Sequence, residues 1–325
     1  MCSELENGLP CCGLCALLIG SLPLLLLALS KRRYLLNDCI NYSGRYIYPD
    51  KHEDEKYIEI CSKHLDNMVK NVLFRISLVF LSFAFIELSL IYKYITDGTK
   101  STMTQLRIPF TEENSNAEYI GNTLIQTSIG FHGFPGFIIM EIALEAFLGC
   151  IMIAPKLIEH EFEKMNDIIE KQKYNKLQVI GAFKYTMSLS MDAEEFSATA
   201  IDLLYWRTFF TPPAFTFSIA MSIFCQYMFD YVGGYGLTII AFVQLYFLCA
   251  YGEIFQDNDT GKILYDTKWY ALPVEVQKNL IPLIHQKQNS RGLSIGPFIK
   301  INIECFGIIS KKIYSFIMFL LNFYQ

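Results

Sequence analysis

Residues 244–253, QLYFLCAYGE, close an apolar run. Residues 262–298, KILYDTKWYALPVEVQKNLIPLIHQKQNSRGLSIGPF, are polar and broken by prolines, and residues 301–323, INIECFGIISKKIYSFIMFLLNF, are apolar again. That order decides the fold: a membrane span, a segment too polar to span, and a last span that carries Lys311 and Lys312 near its middle. A charge at mid-bilayer costs at least roughly 2.5–3.5 kcal/mol on insertion scales, so such side chains face protein or a water-filled cavity. The last helix is therefore a candidate pore or pathway lining.

Composition points the same way. The chain has 325 residues and is 52% hydrophobic and 15% aromatic, with a mean hydropathy of +0.29. Soluble domains rarely combine such values with repeated uncharged runs of about 18 residues or more. The net charge of −5 is an average over loops, and no basic tail or basic-aromatic stripe suggests nucleic acid as a partner. Most of the ten cysteines lie in or beside apolar runs, where they read as small buried hydrophobes. Cys12-x-x-Cys15 lacks a second ligand pair, the five histidines form no metal-ligand spacing, and there is no Gly-rich phosphate loop or nucleophile elbow. Neither catalytic residues, a metal nor a cofactor is expected.

Working outward, the expected fold is all-α, a polytopic membrane bundle of about six spans with long cytosolic helical extensions. The spans fall at about 11–30, 72–94, 133–155, 208–229 and 231–251, with the last in 301–325. Residues 1–255 form the transmembrane bundle and 256–300 a set of short cytosolic helices divided by Pro273, Pro282 and Pro297. Glu141 and Glu145, four apart in the third span, share a helix face, and Arg75 and Glu87 lie within or at the end of the second. After the third span, Leu157, Ile158, Phe162, Met165, Ile168 and Ile169 recur at helical spacing, so the helix continues past the membrane and packs on neighbours. Pro212 and Pro213 are expected in the first turns of the fourth span, where helix breaking is tolerable.

Charge counting orients the bundle. The connectors 31–70, 156–207 and 253–300 hold 8, 7 and 6 Lys or Arg, against 2 in the segments on the other side. Basic residues stay cytosolic, which puts both termini outside. Rhodopsin-type receptors end inside the cell, and the chain has no Asp-Arg-Tyr or Asn-Pro-x-x-Tyr triplet at a span end.

One family resemblance emerges in the C-terminal stretch. Gly252-Glu253 closing a span, Tyr265 four residues before Trp269-Tyr270, then Gly296 and Phe298, Phe306, and Tyr314-Ser315-Phe316 together resemble the C-terminal signature of insect odorant receptors. The order and spacing over some eighty residues carry the likeness, and the span layout upstream extends it. The resemblance implies a subunit of an odorant-gated, nonselective cation channel, assembled as a heterotetramer with an obligate co-receptor in the plasma membrane of sensory neuron dendrites. Members of that family have seven spans and a cytosolic N-terminus. The mapping that fits takes residues 11–30 as the family's second span, its first having no counterpart here.

Site residues follow from that mapping. Lys311, Lys312, Ser315, Phe319, Asn322 and Phe323 are the expected pore residues. Ser315, Phe319, Asn322 and Phe323 recur at three- and four-residue spacing on one face, so the two phenylalanines form either a hydrophobic gate or an ordinary lipid-facing or packing pair. One of the lysines pairs with Glu304 or sits at an aqueous side cavity. Small volatile hydrophobic ligands need apolar walls with few polar anchors, for which Phe83, Glu87, Phe137, Met140, Glu141, Tyr231 and Tyr235 are candidates, each also readable as ordinary core. Tyr265, Trp269, Tyr270, Leu280, Leu283 and Ile284 are expected in a subunit anchor, the competing reading being flat binding to membrane lipid. Two other functions stay open: a transporter using the intramembrane glutamates, and a gustatory-type receptor channel, whose terminal Thr-Tyr and Gln-Phe pairing is not found in the last span.

Overall fold

Helix length dominates the architecture. In the computed structural model, residues 37–46 form α1, Glu55–Asp97 α2, Asn116–Glu170 α3, Lys176–Phe229 α4 and Gly233–Gln256 α5. A 3-10 turn at Trp269–Ala271 precedes α6 (Val274–Gln288). A hairpin of β1 (Ser294–Ile295) and β2 (Ile299–Lys300) leads into α7 (Ile303–Tyr324). The structure describes residues 37–48, 54–98, 100, 115–170, 176–229, 233–256, 265, 269–288 and 292–324. Side chains at 97, 126, 129–141, 143, 233, 256, 271, 286–288 and 324 lie outside that description. At 1.5 Å per residue, α3 and α4 are each about 80 Å long, against a hydrocarbon core of about 30 Å, so both must extend far beyond a bilayer.

Among the described residues three helices are long and apolar enough to cross a membrane, Glu55–Thr96, Lys176–Phe229 and Gly234–Phe255. The fold is an all-α membrane bundle, the class expected, relieved among the described residues only by the two-residue strands of the hairpin. The span expected at 11–30 lies outside the described residues.

Capping explains several of the boundaries. Asp54 caps α2, its Oδ1 accepting from the Lys56 and Tyr57 amides at 3.1 and 3.4 Å, and Gly98 ends the helix at φ 66°. Ser115 Oγ accepts from the Glu118 amide at 3.1 Å at the start of α3. Pro212 and Pro213 lie inside α4, not in the first turns of a separate span as the sequence suggested: the helix begins 32 residues before Thr208 and runs on through both.

α4 is the central element, packing on α3, α5 and α7, while α2 packs on α3 and α5. The largest apolar core is built at the end of the bundle where the basic connectors lie. Leu157, Ile158, Phe162 and Met165 of α3 are at most 1% exposed there, as their helical spacing requires, alongside Tyr57, Val179 and Leu189. A second core joins α4 (Phe215, Ile219), α5 (Ala241, Leu245) and α7 (Cys305, Ile309, Ile313). Asp54 ties α2 to the α3 extension through a second set of bonds, Oδ2 lying 2.9 Å from Lys164 Nζ and 3.1 Å from His160 Nε2. Lys164, with help from His160 and the Tyr57 amide, holds the Asp54 carboxyl well below the usual carboxylate range.

Candidate functional site

Gly252 and Glu253 sit in the last turn of α5, where that helix meets the start of α7. A Cβ on Gly252 would collide with the Ile301 carbonyl oxygen, so only glycine permits this approach. Glu253 accepts a hydrogen bond from the Ile303 amide at 3.0 Å, and Asn302 Oδ1 accepts from the Cys305 amide at 2.8 Å. Two of the four amides that a helix start leaves without intrahelical partners are thereby satisfied, one from α5 and one locally. The glycine allows the helices to meet, and the glutamate fixes where α7 begins. The hairpin completes the joint: Gly296 turns it at φ 56°, and the Ile301 amide donates to the Leu293 carbonyl at 2.9 Å.

One residue before Gly252, Tyr251 enters a buried polar cluster. Arg75 of α2, 5% exposed, reaches Glu145 of α3, 3% exposed, at 2.5 Å. Arg75 also donates to Tyr251 Oη at 3.0 Å and to Gln244 Oε1 at 3.3 Å, while Tyr251 donates to Glu145. Its guanidinium lies 4.5 Å from the centre of the Phe247 ring, a geometry that favours the cation further. A cavity of about 10 Å³ beside it, walled by Leu144, Leu204, Thr208 and Leu293 among others, is at the lower limit for one water. Three helices therefore share one buried charge pair, and one of them continues directly into the joint with α7.

On α7, one face is buried and the other is open. Cys305, Ile309 and Ile313 pack inward, whereas Lys311, Lys312, Ser315, Asn322, Phe319 and Phe323 are exposed, the last two at 61% and 84%. Phe319 stacks on Phe316 and on Phe323, with ring centres 6.5 and 6.2 Å apart. The six residues singled out from the sequence thus share the open side of the helix. Neither lysine pairs with Glu304, in contrast to one of the arrangements the sequence suggested; the Ser315 hydroxyl donates back to the Lys311 carbonyl at 3.0 Å.

The anchor candidates divide. Tyr265 and Tyr270 are exposed, at 66% and 68%, and Trp269 at 39%. Leu280 and Leu283 are at most 3% exposed and, with Val276 and a half-buried Ile284, pack into the chain's own main core. This corrects the expectation that the stripe meets another subunit: an apolar stripe on α6 has to be covered, and the rest of this chain covers it. The opposite face, with Val274 and Ile281 at 64% and 70% exposure, is the open one.

Of the ligand candidates, Phe83 and Glu87 are half-buried on α2 and Tyr235 is 51% exposed on α5. The three occupy one level of the bundle, because Gly236 lets α5 approach α2: a Cβ there would lie 2.5 Å from Ile86 Cγ1. Phe137, Met140 and Glu141 lie on α3 with side chains outside the description, and Tyr231 is outside the described residues. A cavity of about 280 Å³ between α1 and α4, walled by Asp38, Arg45, Asp192 and Glu195 among others, involves none of these candidates.

The helices and the polar joint define a helical integral membrane protein. No family model matches the chain. It is similar to a Drosophila melanogaster protein described as "Putative odorant receptor 83c", at 23% identity over 276 residues, which is 74% of this chain and 64% of that relative's length. The match, modest in identity, agrees with the likeness of the C-terminal residues to insect odorant receptors.

Proposed function

We propose that this chain is an odorant-tuning subunit of an odorant-gated, nonselective cation channel, working with an obligate co-receptor in a heterotetramer at the plasma membrane of sensory neuron dendrites. The observation that carries the reading is the two-faced α7, met by a match to an odorant receptor relative. A membrane helix packed on α4 and α5 through one face, with Lys311, Lys312, Ser315, Phe319, Asn322 and Phe323 on the other, suits a helix that lines a shared aqueous path, since polar groups at bilayer depth face protein or water. Phe319 and Phe323 suit a constriction that gates by dewetting. Small volatile hydrophobic ligands would be bound by a pocket that draws on Phe83, Glu87, Phe137, Met140, Glu141, Tyr231 and Tyr235. The exposed Tyr265, Trp269 and Tyr270 would serve subunit contact, with Leu280, Leu283 and Ile284 supporting them from within.

A transporter driven by intramembrane glutamates fits less well, because Glu145 is engaged by Arg75 and Tyr251. The test is current evoked by an odorant panel in cells expressing the chain with the co-receptor, compared with the co-receptor alone. New odorant responses, altered in their gating by Phe319→Ala, are expected. Absence of new responses despite surface expression would refute the reading.

A further inference from the structure

The aromatic residues of α4 are unevenly spread. Tyr205, Trp206, Phe209 and Phe210 form one cluster, with Trp206 stacked on Phe210 at 5.8 Å and Phe209 set edge-on to Phe210 at 5.1 Å. Trp206 is 60% exposed, and Tyr205 and Phe210 about 40%. The cluster sits where the helix changes character: Lys176–Arg207 carries charges of both signs, Arg207 is the last of them, and everything from Thr208 to Phe229 is uncharged. Amphipathic aromatic rings at such a boundary are the mark of a membrane–water interface.

The hairpin lies at the same level. A Cβ on Gly296 would be 3.1 Å from Phe209 Cδ2, so the turn is seated against the aromatic cluster. Beyond that contact, Phe298 projects with 77% of its surface open, flanked by exposed Pro297, Ile299 and Lys300. A turn that carries an exposed ring, two further apolar residues and one cation beside the start of a membrane span has the amphipathic composition of a headgroup-layer insert.

We propose that the hairpin Ser294–Lys300 and the Tyr205–Phe210 collar of α4 form one membrane-interface anchor, with Phe298 inserted among phospholipid headgroups in the leaflet from which α7 starts. The anchor rests on the bundle crossing a membrane and is independent of the channel reading. Its effect is to fix the entry of α7 to the lipid surface, with the joint at Gly252 holding the same point from the protein side.

The chain has two tryptophans, Trp206 and Trp269, which makes the proposal measurable. Trp269→Phe leaves Trp206 as the sole reporter. The triple variant Trp206→Phe/Trp269→Phe/Phe298→Trp moves the reporter to the hairpin tip. The full chain is reconstituted in phosphatidylcholine vesicles brominated either near the headgroup or at the bilayer centre, with iodide added outside as an aqueous quencher. Both reporters should lose about half their emission to the shallow bromines and clearly less to the deep ones or to iodide, as interfacial rings do. Iodide quenching of the hairpin reporter without shallow-bromine quenching would put the tip in water and overturn the proposal. So would emission that responds only to the protein-to-lipid ratio, the sign of contact with a second copy. Because Trp269→Phe leaves the collar and hairpin intact, misfolding of the triple variant does not remove the test. A chain extracted from the vesicles by alkaline carbonate would overturn the membrane fold together with the anchor, whereas odorant currents bear only on the channel.

Discussion

Neutralising Glu145 should take a carboxylate away from a buried cation and cost more than a typical single hydrogen bond. Arg75 and Glu145 are 5% and 3% exposed and meet at 2.5 Å. With charge centres about 4 Å apart and an effective dielectric constant near 20, their attraction is worth about 4 kcal/mol. Removing one partner of such a pair typically costs about 3–5 kcal/mol, because the other stays desolvated and uncompensated. Tyr251, Gln244 and the Phe247 ring offset part of this for Arg75 but cannot supply a counter-charge. On a scale of about 2–4 °C per kcal/mol, the loss corresponds to roughly 6–20 °C in apparent melting temperature, towards the lower end for a chain of this length. The assay is a thermal ramp of the detergent-solubilised protein read by size-exclusion chromatography, applied to Glu145→Leu, Arg75→Met and the double variant. The double variant should lie within about 1–2 kcal/mol of wild type, since replacing both charges removes the desolvation cost along with the attraction. Additive single losses, within about 0.5 kcal/mol, would mean that the two residues are not coupled and refute the pairing.

Gly252→Ala should destabilise by about 1–3 kcal/mol and reduce surface expression, because the new methyl meets the Ile301 carbonyl oxygen. Gly307→Ala, with nothing within 4 Å of its would-be Cβ, is the matched control and should be neutral or stabilising by about 0.5–1 kcal/mol; equal effects at the two sites would sink the packing argument. Acidification should selectively weaken the Asp54 hub. Its folded carboxyl titrates below the ordinary value of 3.8, so its contribution is fully present above that value and is lost as pH falls through the folded one. Asp54→Asn, which keeps the cap, should therefore melt below wild type near about pH 6, with the gap closing as pH falls below about 4. A gap that stays constant across that range would assign the effect to something other than the charge.

The sequence made some of these features legible because they are periodic or costly. The stripe Leu157, Ile158, Phe162, Met165 is local repetition, and it is buried as repetition demands. Lys311 and Lys312 stand out because charges in an apolar run are expensive, and they lie on the open side of α7. Arg75 and Glu145 were each visible for that same reason, but their pairing spans 70 residues and two helices, a fact of packing that no local pattern carries. Pairing intramembrane charges of opposite sign would have been the signal for it. Leu280 and Leu283 show the converse limit: an apolar stripe states that something must cover it, and whether that is the same chain or another depends on the fold. The hairpin was hidden because two-residue strands have no period to detect, leaving only Gly296-Pro297 to hint at a turn. Glu253 appeared in the sequence as one letter of a motif, and its role became evident only when the Ile303 amide was found opposite it.

The two adjacent prolines give α4 a mechanical property that its length alone does not. Pro212 and Pro213 have no amide hydrogen, so the carbonyls of Thr208 and Phe209 lose the bonds that stiffen the rest of the rod. The weakest point of a helix about 80 Å long therefore falls just past Arg207, where its charged part gives way to an uncharged run, with some 36 residues of lever on one side. A bend of about 5° there would swing the Lys176 end by roughly 5 Å, converting a small tilt of the uncharged part into a displacement the size of a side chain at the far end of the charged part.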